Sequence, residues 1–97
     1  YTQKDKEATE TYFTKMDKFY NAGYGIIMGE FSVCNPKQEG VAQWLNDTMT
    51  IAAKHHILPV PWETNQYMDK DNCRVRYNDI AVLYNTITGS KGIRVQR

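Results

Sequence analysis

Two side chains of this sequence have the types and positions that suit chemistry on a sugar. Glu30 follows the apolar run 24–28, and Trp62 ends a second apolar run that begins at Ile57. If the two runs are adjacent parallel strands, both side chains lie at the carboxyl ends of the strands. They are then close together, since neighbouring strands lie only ~4.8 Å apart. Parallel α/β folds place their functional sites at these carboxyl ends. An aromatic ring packs on sugar C–H groups while a carboxylate acts on the anomeric carbon, so the pair indicates a carbohydrate site.

Each candidate also has a plainer interpretation. Glu30 could cap the following loop or the N-terminus of the next helix, where a negative charge is favoured. Trp62 could fill the core at the mouth of the fold. In the loop after Trp62, Asn65 and Tyr67 could contact sugar hydroxyls or simply face solvent.

The elements that must position these residues follow from the apolar spacing. Residues 4–22 predict a helix that ends at Gly23, because apolar side chains recur at helical spacing on one face. That face consists of Ala8, Tyr12, Phe13, Met16, Phe19 and Tyr20. The run 24–31 is almost continuously apolar, which is typical of a strand buried on both faces in a parallel sheet.

The second half of the chain repeats this order. The pattern predicts a helix over 41–54, a strand over 57–62, an irregular polar loop over 63–77, a helix over 78–88 and a frayed tail. Pro59 and Pro61 argue against a central strand, because each removes a ladder donor.

Alternating helices and apolar strands predict a parallel α/β sheet within one domain, residues 1–97. Two parallel strands leave their own edges open. We therefore expect further strands, either from another chain or from more of the same protein. The first residue is Tyr rather than Met, and no signal peptide is recognisable, so we expect this N-terminus to be a cut or an artificial edge rather than a natural translation start.

Charge and composition exclude several classes of partner. The 12 Lys and Arg residues nearly balance 11 Asp and Glu residues, which argues against a nucleic-acid face. No apolar stretch approaches the roughly 18 residues of a membrane span. Cys34 and Cys73 lack metal spacing; they would form a disulfide in a secreted protein or remain free thiols in an intracellular one.

Two further motifs resemble metal sites but are interpreted otherwise. His55-His56 has no third ligand at useful spacing and suits a helix C-terminus, where cations are favoured. The stretch 69–72 has the composition of a calcium loop without its glycine and distal glutamate, so we interpret it as a solvated turn. The sequence thus predicts no metal and no cofactor.

The order of motifs resembles the C-terminal portion of glycoside hydrolase family 5, the cellulase-like (β/α)8 TIM barrels. Residues 26–31, preceded by Asn21-Ala22-Gly23, are similar to the family's seventh strand, which ends in Gly-Glu-Phe. The segments 39–54, 57–62 and 78–88 are similar to its seventh helix, eighth strand and closing helix. The resemblance implies an incomplete barrel that runs from the sixth to the eighth helix (α6-β7-α7-β8-α8), about two-fifths of the ~250 residues of a barrel.

Two positions depart from the family pattern. Ser32 stands where Gly commonly follows Glu-Phe, and Glu63-Thr64-Asn65 stands where many members have Asp-Asn-Gly after the tryptophan. These departures affect the loop contacts and the sugar preference rather than the nucleophile.

The resemblance implies retaining hydrolysis with Glu30 as the nucleophile and Trp62 beneath the sugar. That reaction needs a second carboxyl group about 5–5.5 Å away, and the family supplies it from an Asn-Glu pair, which this chain lacks. Glu63 is a poor substitute, because successive strand side chains point to opposite faces.

We therefore expect part of a secreted endo-β-1,4-glucanase that acts on a β-glucan polysaccharide or oligosaccharide. It would work only together with the N-terminal remainder of the barrel, in the same protein or a companion chain. The alternatives are a non-catalytic α/β module that binds carbohydrate or protein, a family member that cleaves xyloglucan, mannan or xylan, and an inactive barrel relative. Nucleic acid and membrane are not expected partners.

Overall fold

The computed structural model describes residues 1–62 and 67–89, which form a mixed α/β structure. Its elements are α1 (Gln3–Thr14), α2 (Asp17–Asn21), β1 (Ile26–Phe31), α3 (Val41–Lys54), β2 (Ile57–Pro61), β3 (Met68–Asp69), β4 (Arg74–Val75) and α4 (Asn78–Thr88). The predicted alternation of helices and strands is confirmed, with a short hairpin, β3–β4, added inside the polar loop. The predicted single helix over 4–22 is wrong, because it breaks at Lys15 and Met16 into α1 and α2.

Strands β1 and β2 pair in parallel, with Ile26 opposite Ile57. The register shifts between Met28 and Phe31, and the ladder continues past the shift, where the Trp62 N–H donates to the Phe31 carbonyl at 3.1 Å. The two prolines of β2 are compatible with this pairing, although each lacks an amide donor. Because the Trp62 N–H points to β1, the nitrogens of Pro59 and Pro61 point to the outer edge, where proline is tolerated.

The core lies between α3, the β3–β4 hairpin and α4. Its buried members, which we call the apolar core, are Val41, Leu45, Tyr67, Val75, Ile80 and Ala81. Phe31 of β1, Val33 from the segment after it and Trp44 of α3 pack against this core. The ends of α4 follow the prediction, since the helix stops at Gly89 in the left-handed conformation, φ 68°.

The aromatic face predicted for the first helix does not point into the core. Tyr12 is 64% exposed, and Ala8, Phe19 and Tyr20 are exposed as well. Helix α1 instead lies against α3 through its polar side, with Lys6 Nζ 3.0 Å from Asp47 Oδ1. Ion pairs with α3 accompany this orientation, and Phe13 and Met16 are the half-buried members of the predicted face.

One face of the β1–β2 sheet is apolar and exposed. Ile27 and Leu58 are opposite each other in the register, and both are exposed, as is Val60. The prediction that this strand is buried on both faces is therefore wrong, because Ile26, Met28 and Phe31 are half-buried and the other three residues are exposed. None of the described helices is long and apolar enough to cross a membrane.

Candidate active site

Glu30 and Trp62 lie in one pocket at the carboxyl ends of β1 and β2. The pocket has a volume of about 310 Å³ and is lined by Glu30, Trp62, Tyr67 and residues 31–34. The parallel pairing of the two strands brings the first two together, as the sequence predicts. Trp62 remains 49% exposed, so an apolar surface is open to a ligand next to a carboxylate.

The carboxylate of Glu30 is open to whatever enters the pocket. Glu30 is exposed, and no described residue forms a hydrogen bond or ion pair with it. It is also the single carboxyl group among the described residues that line the pocket. The described site therefore offers one nucleophile or general base, but not a pair of acids.

Tyr67 forms the wall of the pocket from the side of the core. Only 3% of its surface is exposed, and its hydroxyl donates a hydrogen bond to the Val33 carbonyl at 3.1 Å. Its own carbonyl accepts from the Arg76 N–H at 2.7 Å. The plainer expectation of a solvent-exposed Tyr67 is thus wrong, because the hairpin turns the ring inward; direct contact with a sugar stays a prediction. Asn65 lies outside the described residues.

The loop after β1 adds pocket residues that the sequence did not single out. Ser32, Val33 and Cys34 follow Glu30 directly and line the same space. Because they directly follow an acid at the end of a strand, their position in the sequence could have indicated that they line the same pocket. Cys34 and Cys73 are both free and exposed.

Residues 70–72 form an exposed turn, as predicted, whereas Asp69 at its start is buried. The Asp69 carboxylate accepts hydrogen bonds from the Asn72 side chain at 2.8 Å and the Asn72 N–H at 3.2 Å. The bonds from Asn72 hold the pKa of Asp69 below its ordinary value. The arrangement is an Asx-type turn that shapes the hairpin.

His55 binds two carboxylates rather than a metal. Its buried ring places Nε2 2.7 Å from Glu10 Oε1 and Nδ1 2.8 Å from Asp17 Oδ1. The hydrogen bonds to Glu10 and Asp17 raise the pKa of His55 above its ordinary value. Within residues 1–62 and 67–89, no three His, Cys, Asp or Glu side chains are grouped so as to hold a metal ion.

His56, the next residue, lies just after the end of α3 in the left-handed conformation, φ 58°. Its ring stacks on Tyr20 with the ring centres 4.1 Å apart. The two histidines thus connect the end of α3 to both N-terminal helices, in keeping with the helix-end interpretation.

Comparison of the chain with models of protein families, with curated proteins and with solved structures gives no match.

Proposed function

We propose that this chain is the C-terminal part of a retaining endo-β-1,4-glucanase and supplies its nucleophile, Glu30. One observation carries the proposal: Glu30 and Trp62 line one pocket at the carboxyl ends of two adjacent parallel strands. A tryptophan beside a carboxylate suits a sugar ring at its anomeric carbon. The alternation of helices with two parallel strands is also compatible with the last part of a (β/α)8 barrel, which the sequence resemblance to glycoside hydrolase family 5 implies.

In the proposed reaction the Glu30 carboxylate attacks the anomeric carbon of a β-glucan. The bond from that carbon to the glycosidic oxygen breaks, and a second carboxyl group gives its proton to the leaving oxygen. The same group then takes a proton from water, which displaces Glu30 and restores both residues. Trp62 holds the sugar ring above the pocket, and the chemistry requires no metal or cofactor.

The second carboxyl group must come from outside the described pocket. The exposed apolar face formed by Ile27, Leu58 and Val60 supports a further layer of structure over this sheet, because soluble proteins rarely leave contiguous apolar patches uncovered. The N-terminal remainder of a barrel, in the same protein or a companion chain, would cover that face. It would also add the acid from another strand. An extracellular, secreted setting belongs to the same proposal.

The nucleophile is tested by Glu30→Gln in the protein that carries the whole barrel. We expect hydrolysis of a soluble β-1,4-glucan to fall by about a thousandfold or more, since an essential group lowers the barrier by several kcal/mol. Glu39→Gln is the matched control, because Glu39 is exposed and lies outside this pocket. Glu30→Gln activity within about tenfold of the wild type would contradict the assignment.

Covalent labelling gives a second test of the same residue. A fluorinated glycoside that is released slowly should leave its sugar on Glu30, and peptide mapping locates the adduct. An adduct on another carboxylate would place the nucleophile elsewhere. Hydrolysis rates on xyloglucan, mannan and xylan would then show which of these glycans is the preferred substrate.

A non-catalytic module that binds sugar or protein is the second candidate. It is favoured by the single carboxyl group in the described pocket and the exposed ring of Trp62. Under this function the 97-residue chain should fold cooperatively and stay monomeric alone. Aggregation alone, with structure gained when the remaining barrel strands are added, would support the enzyme instead.

A further inference from the structure

The hydroxyl of Tyr67 connects the two loops that form the pocket. Tyr67 belongs to the segment that follows Trp62, whereas Val33 belongs to the segment that follows Glu30. The 3.1 Å hydrogen bond from the Tyr67 hydroxyl to the Val33 carbonyl spans them. This bond therefore ties the Tyr67 side chain to the backbone of the segment that follows Glu30.

The strand ladder gives Glu30 no partner residue of its own on β2. Met28 pairs with Pro59 and Phe31 pairs with Pro61, so Gly29 and Glu30 lie within the register shift. Extra residues in a bulge are left unpaired and re-aim their side chains. The place of Glu30 is thus set by Phe31, which the ladder holds, and by the segment that follows Phe31.

Tyr67 is itself firmly placed. Its ring belongs to the apolar core, and the Arg76 N–H holds its backbone carbonyl at 2.7 Å. Val33 and Phe31 pack against the same core. A buried aromatic side chain with few rotatable bonds is a rigid support for the loop that carries its partner.

We propose that Tyr67 is a positioning residue: its hydroxyl, through the Val33 carbonyl, holds residues 31–33 and thereby sets Glu30 relative to Trp62. This inference rests on the proposed function of Glu30. It assigns the Tyr67 hydroxyl to the backbone of the nucleophile loop rather than to a sugar hydroxyl. A small displacement of a reacting group is costly, since about 1 Å can lower a rate 10²-fold.

The test compares Tyr67→Phe with Tyr77→Phe in the protein that carries the whole barrel. Tyr77→Phe is the matched control, because Tyr77 packs on the same core but is not part of the pocket wall. We expect Tyr67→Phe to lower kcat on a soluble β-1,4-glucan by about tenfold with KM within twofold. Equal kinetics in the two variants would overturn the proposal. A raised KM with unchanged kcat would also overturn it and indicate direct contact with the sugar.

A second measurement separates this inference from the proposed function. The Trp62 N–H is bonded to the Phe31 carbonyl, so its hydrogen exchange reports how firmly the end of β1 is held. Losing one hydrogen bond should speed this exchange about 2- to 10-fold in Tyr67→Phe relative to Tyr77→Phe. Unchanged exchange would overturn the positioning role, even if the wild type proved unable to hydrolyse any β-glucan. Inactivity of the wild type would instead remove the proposed function alone.

Discussion

The two sides of α3 are held by different forces. One side meets α1 and α2 through charged groups, which we call the charged interface: Lys6, Glu10, Asp17, Asp47, Lys54 and His55. The other side meets the hairpin and α4 through the apolar core. We therefore expect the contact of α3 with α1 and α2 to respond to pH and salt, and its contact with the apolar core not to respond.

The charged interface contains buried groups as well as exposed ones. Asp47 is buried and accepts hydrogen bonds from Lys6 and from the Tyr1 hydroxyl, both at 3.0 Å. Burial of the Tyr1 hydroxyl and its bond to Asp47 raise the pKa of Tyr1 to about 12. Lys54, in contrast, is mostly exposed where it meets Glu10. Removal of one charged group from the charged interface should therefore lower the free energy of unfolding more for a buried group than for an exposed one.

The largest effect should come from the apolar core. Leu45 is 1% exposed, and Leu45→Ala should lower the free energy of unfolding by about 2–5 kcal/mol, since it leaves a cavity. Urea unfolding measures this loss, which should be the same at pH 6 and pH 8. Val82→Ala is the control, because Val82 is 55% exposed and its change should stay within about 0.5 kcal/mol. A marked pH dependence of the Leu45→Ala effect would contradict the expected difference between the two sides of α3.

A smaller and pH-dependent effect should come from His55. Replacing it by Gln removes a cation held by two carboxylates, and we expect a loss of about 1–2 kcal/mol at pH 6, since both acids are partly screened by solvent. The folded pKa of His55 is raised. Its contribution is therefore complete below the ordinary value of 6.5 and is lost as pH rises through the raised value. Unfolding of wild type and variant from pH 5.5 to 9 measures this change.

The control for His55 is its neighbour. His56→Asn also removes an imidazole, but this ring stacks on Tyr20 rather than binding a carboxylate, and asparagine tolerates the left-handed conformation. The stability difference from wild type should then be nearly constant over the same pH range. A constant difference for His55→Gln as well would show that the ring acts by packing alone.

The smallest effect should come from Lys54. Its ion pair with Glu10 at 2.6 Å is largely exposed, and such pairs contribute about 0.2–1 kcal/mol. Lys54→Gln should therefore lower the free energy of unfolding by about 0.5 kcal/mol in low salt and by less in 0.5 M salt, as screening weakens exposed pairs. A loss comparable to that of His55→Gln would mean that Lys54 also positions the Glu10 carboxylate.

Local signals in the sequence predict much of this fold. The helix Asn78–Thr88 is bounded as the apolar spacing and Gly89 indicate, and α3 ends at the predicted Lys54. The pocket shared by Glu30 and Trp62 follows from two short apolar runs and the geometry of parallel strands. Each of these features depends on residues close together in the chain or on a general rule of sheets.

Features that depend on distant partners could not be predicted in this way. Helix α1 turns its polar side inward because Glu10 meets Lys54 and His55, which lie 44 and 45 residues away. The burial of Tyr67 depends on a hairpin whose strands have two residues each, too short for any periodic pattern to indicate. The register shift that leaves Glu30 without a partner residue on β2 is likewise indicated in the sequence by nothing except Gly29.

The prolines of β2 also bear on how copies of this chain can associate. Pro59 and Pro61 leave the outer edge of β2 with carbonyl groups but no amide donors at these positions. Fibrils grow by adding strand to strand, so each copy must present two edges that both donate and accept hydrogen bonds. The two missing donors therefore discourage cross-β stacking of copies of this chain at the outer edge of β2.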